Sequence, residues 1–348
     1  MVALPSISPI TVTKRPFNAE TPAEALHDNI TPNNSFYVRN HFAVPTIDLS
    51  KWRLRITGAV KNDLVLSLRD IMTMRPKRVA VTLECAGNSR TRMQPVPAGT
   101  PWRDGAVGTA WWTGAPLREL LKKAVPIDRA IEVLFTGADR GTEDGQRLSF
   151  QRSLPLREAF NEDVILAYRM NGRPLPRIHG FPIRVIVPRC YGVASVKWLT
   201  KIEVLAEPFR GWFQTEQYVY SDAGKQHVEP VSQMRVKSLI VEPREDAVLR
   251  HGRSYAVSGL AWSGFGEVTK VEVRFNDSHW RTANLLNDDL GPYAWRRWSI
   301  DWAPPKSGAY WLMSRAFDSS KNVQPLTPVW NLYGYAYDTV TPRKVLAI

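Results

Sequence analysis

Two cysteines are the only thiols in the 348-residue sequence, and their surroundings differ. Cys85 lies in Thr-Leu-Glu-Cys-Ala-Gly-Asn-Ser-Arg, where a β-rich run passes directly into a predicted turn, so its thiol can face a cavity. Arg90 is predicted to lower the pKa of this thiol, because a nearby cation favours the thiolate form that binds metals. On spacing alone, Cys85 is better explained as a small buried packing residue than as a metal ligand. Cys190, in Pro-Arg-Cys-Tyr-Gly, is predicted only to pack.

The elements that would position Cys85 mix helix and strand signals through the first two-thirds of the chain. Ser67 is placed to cap a short helix that ends before Pro76, and Pro116 is placed to open a second one. Asn171-Gly172 predicts a type I′ turn between strands at 164–170 and 173–175. Further runs predict strands at 51–60, 78–83, 131–135, 181–188 and 195–205. These signals indicate an α+β domain with a buried mixed sheet.

From about Met234 the pattern changes to short alternating strands separated by turns. Period-two runs around Tyr255, Val271, Trp298 and Tyr310 put aromatic or branched residues on one face. About 110 residues of this kind fit an all-β, immunoglobulin-like sandwich. We therefore predict two domains, residues 1–233 and 234–348. Seven of the thirteen tryptophans fall in the second, where they are expected to fill its core or a subunit interface.

Composition and charge disfavour several classes of protein. A net charge of +13, from 46 Lys and Arg against 33 Asp and Glu, favours an anionic ligand, but the basic residues are dispersed and carry no motif for nucleic acid. No stretch reaches the ~20 apolar residues of a membrane span, and no C-x-x-C-H marks a covalent haem. Met1 to Asn18 contains three prolines and does not resemble a signal peptide. The chain is expected in the cytoplasm, or in the periplasm if a leader was removed.

Four spaced motifs resemble those of the sulfite oxidase family. The segment 82–90 around Cys85 resembles its molybdenum-binding signature. The other three are Phe-Tyr-Val-Arg-Asn-His at 36–41, His-Gly-Phe-Pro-Ile-Arg-Val at 179–185 and Val-Lys-Trp-Leu at 196–199. The resemblance runs from about Thr31 to Tyr335. It implies a mixed α/β molybdopterin domain followed by an immunoglobulin-like dimerisation domain, and hence a homodimer.

The resemblance implies a molybdenum ion bound by the Cys85 thiolate and by the sulfurs of a pyranopterin dithiolene, soft ligands that suit a sulfur-rich centre. The side chains of Arg184 and Lys197 would hold the cofactor phosphate, and Asp139 would bind the ring edge of the pterin. Without the resemblance, His179 is better explained as a hydrogen-bonded loop residue and Lys197 as a solvated one. The implied cofactor contacts are Tyr37, Val38, Arg39, Asn40, His41, Asp139, His179, Arg184, Ser195, Val196 and Lys197.

The same resemblance implies an anion pocket formed by Arg39, Arg90, Trp102 and Tyr218. The implied reaction is two-electron oxygen-atom transfer, with sulfite oxidised to sulfate and the electrons passed to an external acceptor such as a cytochrome, a quinone or oxygen. Tyr333 departs from the pattern, because the animal and plant enzymes carry an arginine there. This departure keeps open a relative that reduces nitrate or an S-oxide, or that oxidises another sulfur compound.

Overall fold

Strands are the most abundant regular secondary structure in the part of the chain that the computed structural model describes, residues 8–221, 229–287 and 290–348. The α-helices in these ranges are Leu68–Met72 (α1), Leu117–Ala124 (α2), Leu156–Ala159 (α3) and Trp212–Thr215 (α4). Short 3-10 helices lie at Ala23–Leu26, Arg90–Arg92, Arg177–His179 and Gly192–Ala194. None of the helices in the described ranges is long and apolar enough to cross a membrane. The segment Met1 to Asn18 lies partly outside the described residues.

The first domain is built on two five-stranded sheets within the described ranges. Its strands are Ile10–Lys14 (β1), Phe17–Glu20 (β2), Leu54–Gly58 (β3), Leu64–Leu66 (β4), Lys77–Glu84 (β5), Val107–Pro116 (β6), Glu132–Glu143 (β7), Gln146–Pro155 (β8), Ile165–Met170 (β9), Arg173–Pro174 (β10), Arg184–Ile186 (β11), Leu199–Leu205 (β12), Val219–Tyr220 (β13) and Glu229–Pro230 (β14). One sheet has the order β10-β9-β6-β5, with β11 also paired to β9, and the other has the order β4-β3-β12-β7-β8. Because β12 runs parallel to β3 and antiparallel to β7, the predicted mixed sheet is confirmed.

The local signals of capping and turn formation are confirmed. Ser67 Oγ accepts a hydrogen bond from the Asp70 backbone at 3.2 Å, and the Asp70 carboxylate accepts one from the Ser67 backbone at 2.8 Å, which starts α1 with a reciprocal cap. Helix α2 begins directly after Pro116 and buries its leucines in the core of the domain. Asn171 and Gly172 have φ values of 50° and 76°, as a type I′ turn requires.

Three predicted strands have different lengths in the structure. The strand predicted at 131–135 is β7, which continues through polar residues to Glu143 and forms a hairpin with β8. The strand predicted at 181–188 contains only Arg184–Ile186. The strand predicted from 195 starts at Leu199, because the chain before it leaves the sheet and Trp198 has a φ of 50°. The β1-β2 hairpin was not predicted, since the prolines of this segment hid it.

The second domain is a two-sheet β-sandwich, as predicted. Its strands are Lys237–Glu242 (β15), Ala247–Leu249 (β16), Tyr255–Trp262 (β17), Val268–Phe275 (β18), Arg281–Thr282 (β19), Asn284–Leu285 (β20), Arg296–Trp302 (β21), Gly308–Asp318 (β22) and Arg343–Ala347 (β23). One sheet has the order β15-β17-β21-β20 and the other has the order β16-β23-β22-β18-β19. The inward residues of both sheets form one hydrophobic core.

Tryptophans of the second domain occur in its core, at its contact with the first domain and, at Trp311, on the surface. Trp298 and Trp302 are buried in the sandwich core. Trp262 donates from Nε1 to the Glu84 carboxylate at 2.9 Å, and the Trp295 backbone donates to Thr82 Oγ1 at 2.7 Å. Both acceptors belong to β5, the strand that leads to Cys85. The second domain is therefore packed directly against the element that positions the thiol.

Candidate functional site

Cys85 lies at the first position after β5, where the buried strand turns. Its backbone donates to Ala106 O at 2.8 Å, and its carbonyl accepts from the Asn88 backbone at 2.9 Å, closing a turn over residues 85–88. Asn88 Oδ1 accepts from the Ala106 backbone at 3.0 Å and ties the turn to β6. A Cβ at Gly87 would lie only 2.6 Å from Arg90 Nη2, so a glycine lets the arginine lie against the turn.

Burial raises the pKa of the Cys85 thiol, although the cations of Arg39 and Arg90 act in the opposite direction. The predicted effect of Arg90 therefore has the right direction, but the net shift of the thiol pKa is upward. Arg39 lowers the pKa more than Arg90 does, but neither outweighs the desolvation of a buried thiolate. In the protein alone the thiol is protonated, and a bound cation would have to displace its proton.

Two cavities meet at Cys85. We call the first the inner cavity: it encloses about 680 Å³ and is lined by residues 36–41 together with Asp139, His179, Arg184 and Lys197. We call the second the outer cavity: it encloses about 810 Å³ and is lined by Arg90, Trp102, Tyr333, Tyr335 and the β1-β2 hairpin. Cys85, Arg39, His41 and Tyr218 line both cavities. A group bound by the Cys85 sulfur would therefore be reached from two sides.

Arg184 places a buried cation in the inner cavity. Its Nη1 donates to His179 O at 3.1 Å and its Nη2 donates to Ser195 O at 2.8 Å, while its Nε has no hydrogen-bond partner. Burial lowers the pKa of Arg184 to about 10, which leaves the guanidinium charged at neutral pH. No carboxylate is paired with it among the described residues. This guanidinium has donors left for an anionic ligand.

Lys197 supplies a second buried cation to the inner cavity. Its ammonium donates to Arg39 O at 2.9 Å, to Ile178 O at 3.3 Å and to the side-chain oxygen of Asn40. Burial and the neighbouring Arg184 lower the pKa of Lys197 well below its usual value. A bound anion would raise this pKa and hold the ammonium in its charged form.

Asp139 and His179 complete the polar lining of the inner cavity. The register of the β7-β8 ladder shifts between Thr136 and Arg140, and this bulge turns the Asp139 carboxylate into the cavity. Its Oδ1 is buried without a hydrogen-bond partner, and burial raises its pKa to about 6. His179 Nε2 lies 3.1 Å from Asn33 O, and burial lowers its pKa to about 3, so its ring is neutral. Asp139 can thus accept hydrogen bonds from a ligand ring.

Arg90 is held rigidly at the wall of the outer cavity. Its Nε donates to Tyr333 O at 3.0 Å, its Nη1 donates to Thr100 O at 2.7 Å, and its guanidinium lies 5.3 Å from the centre of the Tyr335 ring. Two of its five N–H groups are used in these bonds, which leaves three for an anion. The side chain of Trp102 is buried beside it and closes the cavity wall.

Arg39, His41 and Tyr218 form a hydrogen-bonded row between the two cavities. His41 Nε2 lies 2.8 Å from Arg39 Nη2 and 2.7 Å from Tyr218 OH. Burial, followed by the cations of Arg39 and Lys197, lowers the pKa of His41 well below its usual value. Its ring is therefore neutral, and we assign Nε2 as the acceptor of both bonds, with the proton on Nδ1 facing Glu143 Oε1 at 3.5 Å.

The structure brings all the predicted site residues except Val196 to the two cavities. Val196 packs in the hydrophobic core of the first domain and lines neither cavity. Cys190 also packs in this core, where burial raises its pKa to about 12. Sequence reasoning missed Asn18, which accepts from the Asn40 backbone at 2.7 Å, and Glu143 behind His41. Both belong to hairpins, β1-β2 and β7-β8, whose polar strands gave no periodic signal.

The inner cavity fits an anionic, ring-containing cofactor with soft metal ligands of its own. Its cations have carbonyl and amide partners rather than carboxylates, and it holds two unsatisfied buried atoms, Arg184 Nε and Asp139 Oδ1. A Cβ at Gly192 would lie 2.5 Å from Tyr37 OH. The glycine therefore lets this part of the cavity wall pack closely against Tyr37. In the described ranges no group of three or more His, Cys, Asp or Glu side chains could hold a metal ion. Cys85 is then the residue placed to contribute a protein ligand.

Comparison with known proteins agrees with this donor set. Residues 41–213 match the model of the oxidoreductase molybdopterin binding domain, and residues 228–340 match that of the Mo-co oxidoreductase dimerisation domain. Sulfite oxidase of Gallus gallus is 38% identical to this chain over an alignment of 348 residues. The match covers 92% of this chain and 74% of that protein. The chain belongs to the sulfite oxidase family. Its first domain is the molybdopterin-binding domain, and its second is the dimerisation domain.

Two further relatives are similar to the chain over most of its length. The mitochondrial sulfite oxidase of Macaca fascicularis is 38% identical over 92% of this chain, but the chain spans only 63% of that protein's length. The sulfane dehydrogenase SoxCD from Paracoccus pantotrophus has a solved structure that matches with a TM-score of 0.83 and 27% identity. That match covers 98% of this chain and 86% of the SoxCD chain. The α+β plus sandwich architecture is therefore that of the family.

Proposed function

We propose that the protein is a molybdenum oxidoreductase that oxidises sulfite to sulfate and passes the electrons to an external acceptor such as a cytochrome or a quinone. The observation that carries this proposal is the position of Cys85, whose buried thiol lies where a cation-lined inner cavity meets a cation-lined outer cavity. When bound, molybdopterin supplies two-electron oxygen-atom transfer. Cys85 would hold its metal, and Arg184, Lys197 and Asp139 would hold its phosphate and ring.

Arg39 and Arg90 would bind and orient the anionic substrate. Arg90 is fixed by hydrogen bonds to the carbonyls of Tyr333 and Thr100, so its remaining N–H groups are held in fixed positions. Arg39 lines both cavities and is partly buried, which strengthens its attraction for an anion. Holding the substrate between two fixed cations lowers the entropic cost of reaching the reactive geometry.

Tyr218 and His41 would control the protons at the substrate. The Tyr218 hydroxyl donates to the neutral His41 ring, so its oxygen keeps lone pairs that can accept from a protonated substrate or from water. Burial raises the pKa of Tyr218, and the phenol therefore keeps its proton at neutral pH. The stacked Tyr335 ring, 5.2 Å from the Tyr218 ring, holds the phenol in place.

Metal analysis combined with one pair of variants tests this proposal. The purified full chain is expected to contain one molybdenum per chain and to reduce ferricyanide or cytochrome c with sulfite. Cys85→Ser is expected to fold and to lose this activity, because a serine hydroxyl is a poor ligand for a soft metal. Cys190→Ala is the matched control, since Cys190 is buried away from both cavities, and it should retain activity. A fully active Cys85→Ser protein would refute the ligand assignment.

Oxidation of another sulfur compound is the second candidate function. Tyr333 lines the outer cavity and stacks on Tyr335 at 5.8 Å, so the wall is aromatic where the animal and plant relatives carry a cation. The similar structure of a sulfane dehydrogenase supports the same alternative. One molybdenum per chain without sulfite-dependent reduction of the acceptor would favour this second function over the first. That result would be equally consistent with a nitrate reductase or an S-oxide reductase.

We also propose that the protein is a homodimer. The match of residues 228–340 to a dimerisation domain supports this assembly. Light scattering of the purified chain should give a mass close to twice the 39.5 kDa of one chain. A monomer at micromolar concentration would contradict it.

A further inference from the structure

Lys237, at the start of β15 in the second domain, reaches the turn that carries Cys85. Its ammonium lies 3.1 Å from Glu84 Oε1 and 3.0 Å from Ser89 Oγ. The side chains of Lys237 and Glu84 are only 6% and 3% exposed, so this is a buried ion pair between the two domains. Glu84 directly precedes Cys85, and Ser89 follows it by four positions.

The Glu84 carboxylate has a full set of donors. Oε1 accepts from Asn88 Nδ2 at 2.9 Å as well as from Lys237, and Oε2 accepts from Trp262 Nε1 at 2.9 Å. Two of the three donors therefore come from the second domain. A carboxylate satisfied in this way is stable when buried, whereas the loss of its cation leaves an uncompensated charge.

The other end of the turn is held through the same ammonium. Ser89 has a φ of 66°, which is strained for a residue with a side chain, and its hydroxyl donates to Asp104 Oδ1 at 2.8 Å while facing Lys237. Asp104 is in turn paired with Arg92. The Ala336 backbone, also of the second domain, donates to Ala86 O at 2.7 Å.

We propose that Lys237 is a positioning residue for the metal-binding thiol. It bridges Glu84 and Ser89, so the turn between them is fixed at both ends and Cys85 points to the junction of the two cavities. It also neutralises the carboxylate next to the thiolate ligand. This inference rests on the proposed function of Cys85 as a molybdenum ligand. The second domain thereby forms part of the active centre as well as a subunit contact.

Two variants distinguish the effect of the ion pair on the turn from a general effect on folding. Lys237→Gln leaves Glu84 buried without its cation, and we expect hydrogen–deuterium exchange in residues 84–90 of the cofactor-free full chain to accelerate about tenfold or more. The double variant Glu84→Gln, Lys237→Gln replaces the ion pair with two neutral amides, and we expect exchange within about threefold of the native rate. Tyr293→Phe is the control, because it removes another bond between the domains, from Tyr293 OH to Asp163 at 2.6 Å. It should leave residues 84–90 unchanged.

The loaded enzyme supplies a readout that a purely structural role would not change. In Lys237→Gln, the thiolate-to-molybdenum absorption band should shift and kcat should fall about tenfold, while KM stays the same because Lys237 does not line the outer cavity. The double variant should recover both. If Lys237→Gln does not fold, recovery in the double variant still decides the question.

The outcomes distinguish this inference from the proposed function. Native exchange, native absorption and native kcat in Lys237→Gln would overturn the positioning role, and so would a double variant as impaired as the single one. Absence of molybdenum from the native chain would overturn the proposed function and, with it, the role of Lys237 at a metal centre. In that case the exchange data would still show whether the ion pair holds the turn.

Discussion

Substitution of Arg184 by methionine should destabilise the cofactor-free protein by no more than about 3 kcal/mol, while it weakens cofactor retention more than a hundredfold. Burial lowers the pKa of Arg184 from 12.5 to about 10, and at about 1.4 kcal/mol per tenfold change this is a penalty of about 3 kcal/mol for its charged form. Both values lie above pH 7, so the full penalty is present at neutral pH and disappears only as pH rises from about 10 to about 12.5. Methionine removes this penalty.

The same substitution removes two hydrogen bonds, from Arg184 to His179 O and to Ser195 O. Each bond from a charged donor contributes about 1.5–3 kcal/mol, so the two together contribute about 3–6 kcal/mol and the net destabilisation should lie between zero and about 3 kcal/mol. In the loaded protein the arginine would also bind the cofactor phosphate, as proposed above. Loss of that contact, at about 3 kcal/mol, should weaken retention more than a hundredfold.

Arg152 is a matched control for this prediction. It is also a buried arginine with a pKa of about 10, two carbonyl acceptors, Phe213 O and Val231 O, and an unpartnered Nε, but it lines neither cavity. Urea unfolding of the cofactor-free chain, followed by tryptophan fluorescence, gives the stability. Molybdenum content after gel filtration gives retention, which Arg152→Met should not change.

Two results would refute this account of Arg184. The first is destabilisation of the cofactor-free Arg184→Met protein by about 5 kcal/mol or more, the upper cost of removing one partner of a buried charge pair. The second is equal loss of molybdenum from Arg152→Met, which would show that retention follows general stability.

Three further substitutions test the outer cavity and the hairpin beside it. Tyr333→Arg adds a cation to the cavity wall and should lower KM for sulfite about tenfold in steady-state assays; an unchanged KM would show that the position does not face the substrate. Gly87→Ala places a Cβ 2.6 Å from Arg90 Nη2 and should raise KM about tenfold by displacing the guanidinium, with a thermal midpoint close to native. Burial raises the pKa of Glu20 to about 7, so its contribution to stability is full below about pH 4.5 and is lost as pH rises to about 7. Glu20→Gln, whose amide oxygen can still accept a hydrogen bond from the Arg103 backbone, should remove up to about 3 kcal/mol of this pH dependence. The measurement is the free energy of unfolding between pH 4.5 and pH 7. A variant whose free energy of unfolding changes with pH as much as that of the native protein would contradict the prediction.

Local signals in the sequence were sufficient to predict the architecture and the position of the thiol. The cap at Ser67, the turn at Asn171 and the alternation after Met234 each depend on neighbouring residues, and each is confirmed. Cys85 was expected at a strand end, and β5 ends at the preceding residue. These features are local in the chain, so the sequence carries them directly.

The parts that could not be predicted depend on contacts between distant residues. A bulge sets the direction of Asp139, and nothing in the polar sequence of β7 marks its position. Asn18 and Lys237 reach the site from a hairpin and from the second domain, at sequence separations that no motif spans. The net effect of burial on the Cys85 pKa likewise depends on how deeply the thiol lies, which Arg90 alone does not indicate.

The partner of each buried cation indicates what the cation is for. Arg184 and Arg90 are held by backbone carbonyls, which orient a guanidinium without neutralising it, so both remain available to anions in the adjoining cavities. Lys237 is paired with the carboxylate of Glu84, so its charge is already compensated and its effect is on position. Arg152 is held by carbonyls but lines neither cavity, which shows that a free charge becomes a binding site only where it faces space for a ligand. A cofactor anion and a substrate anion, as proposed above, would account for the uncompensated cations of this site, whereas the compensated one joins the two domains behind the Cys85 thiol.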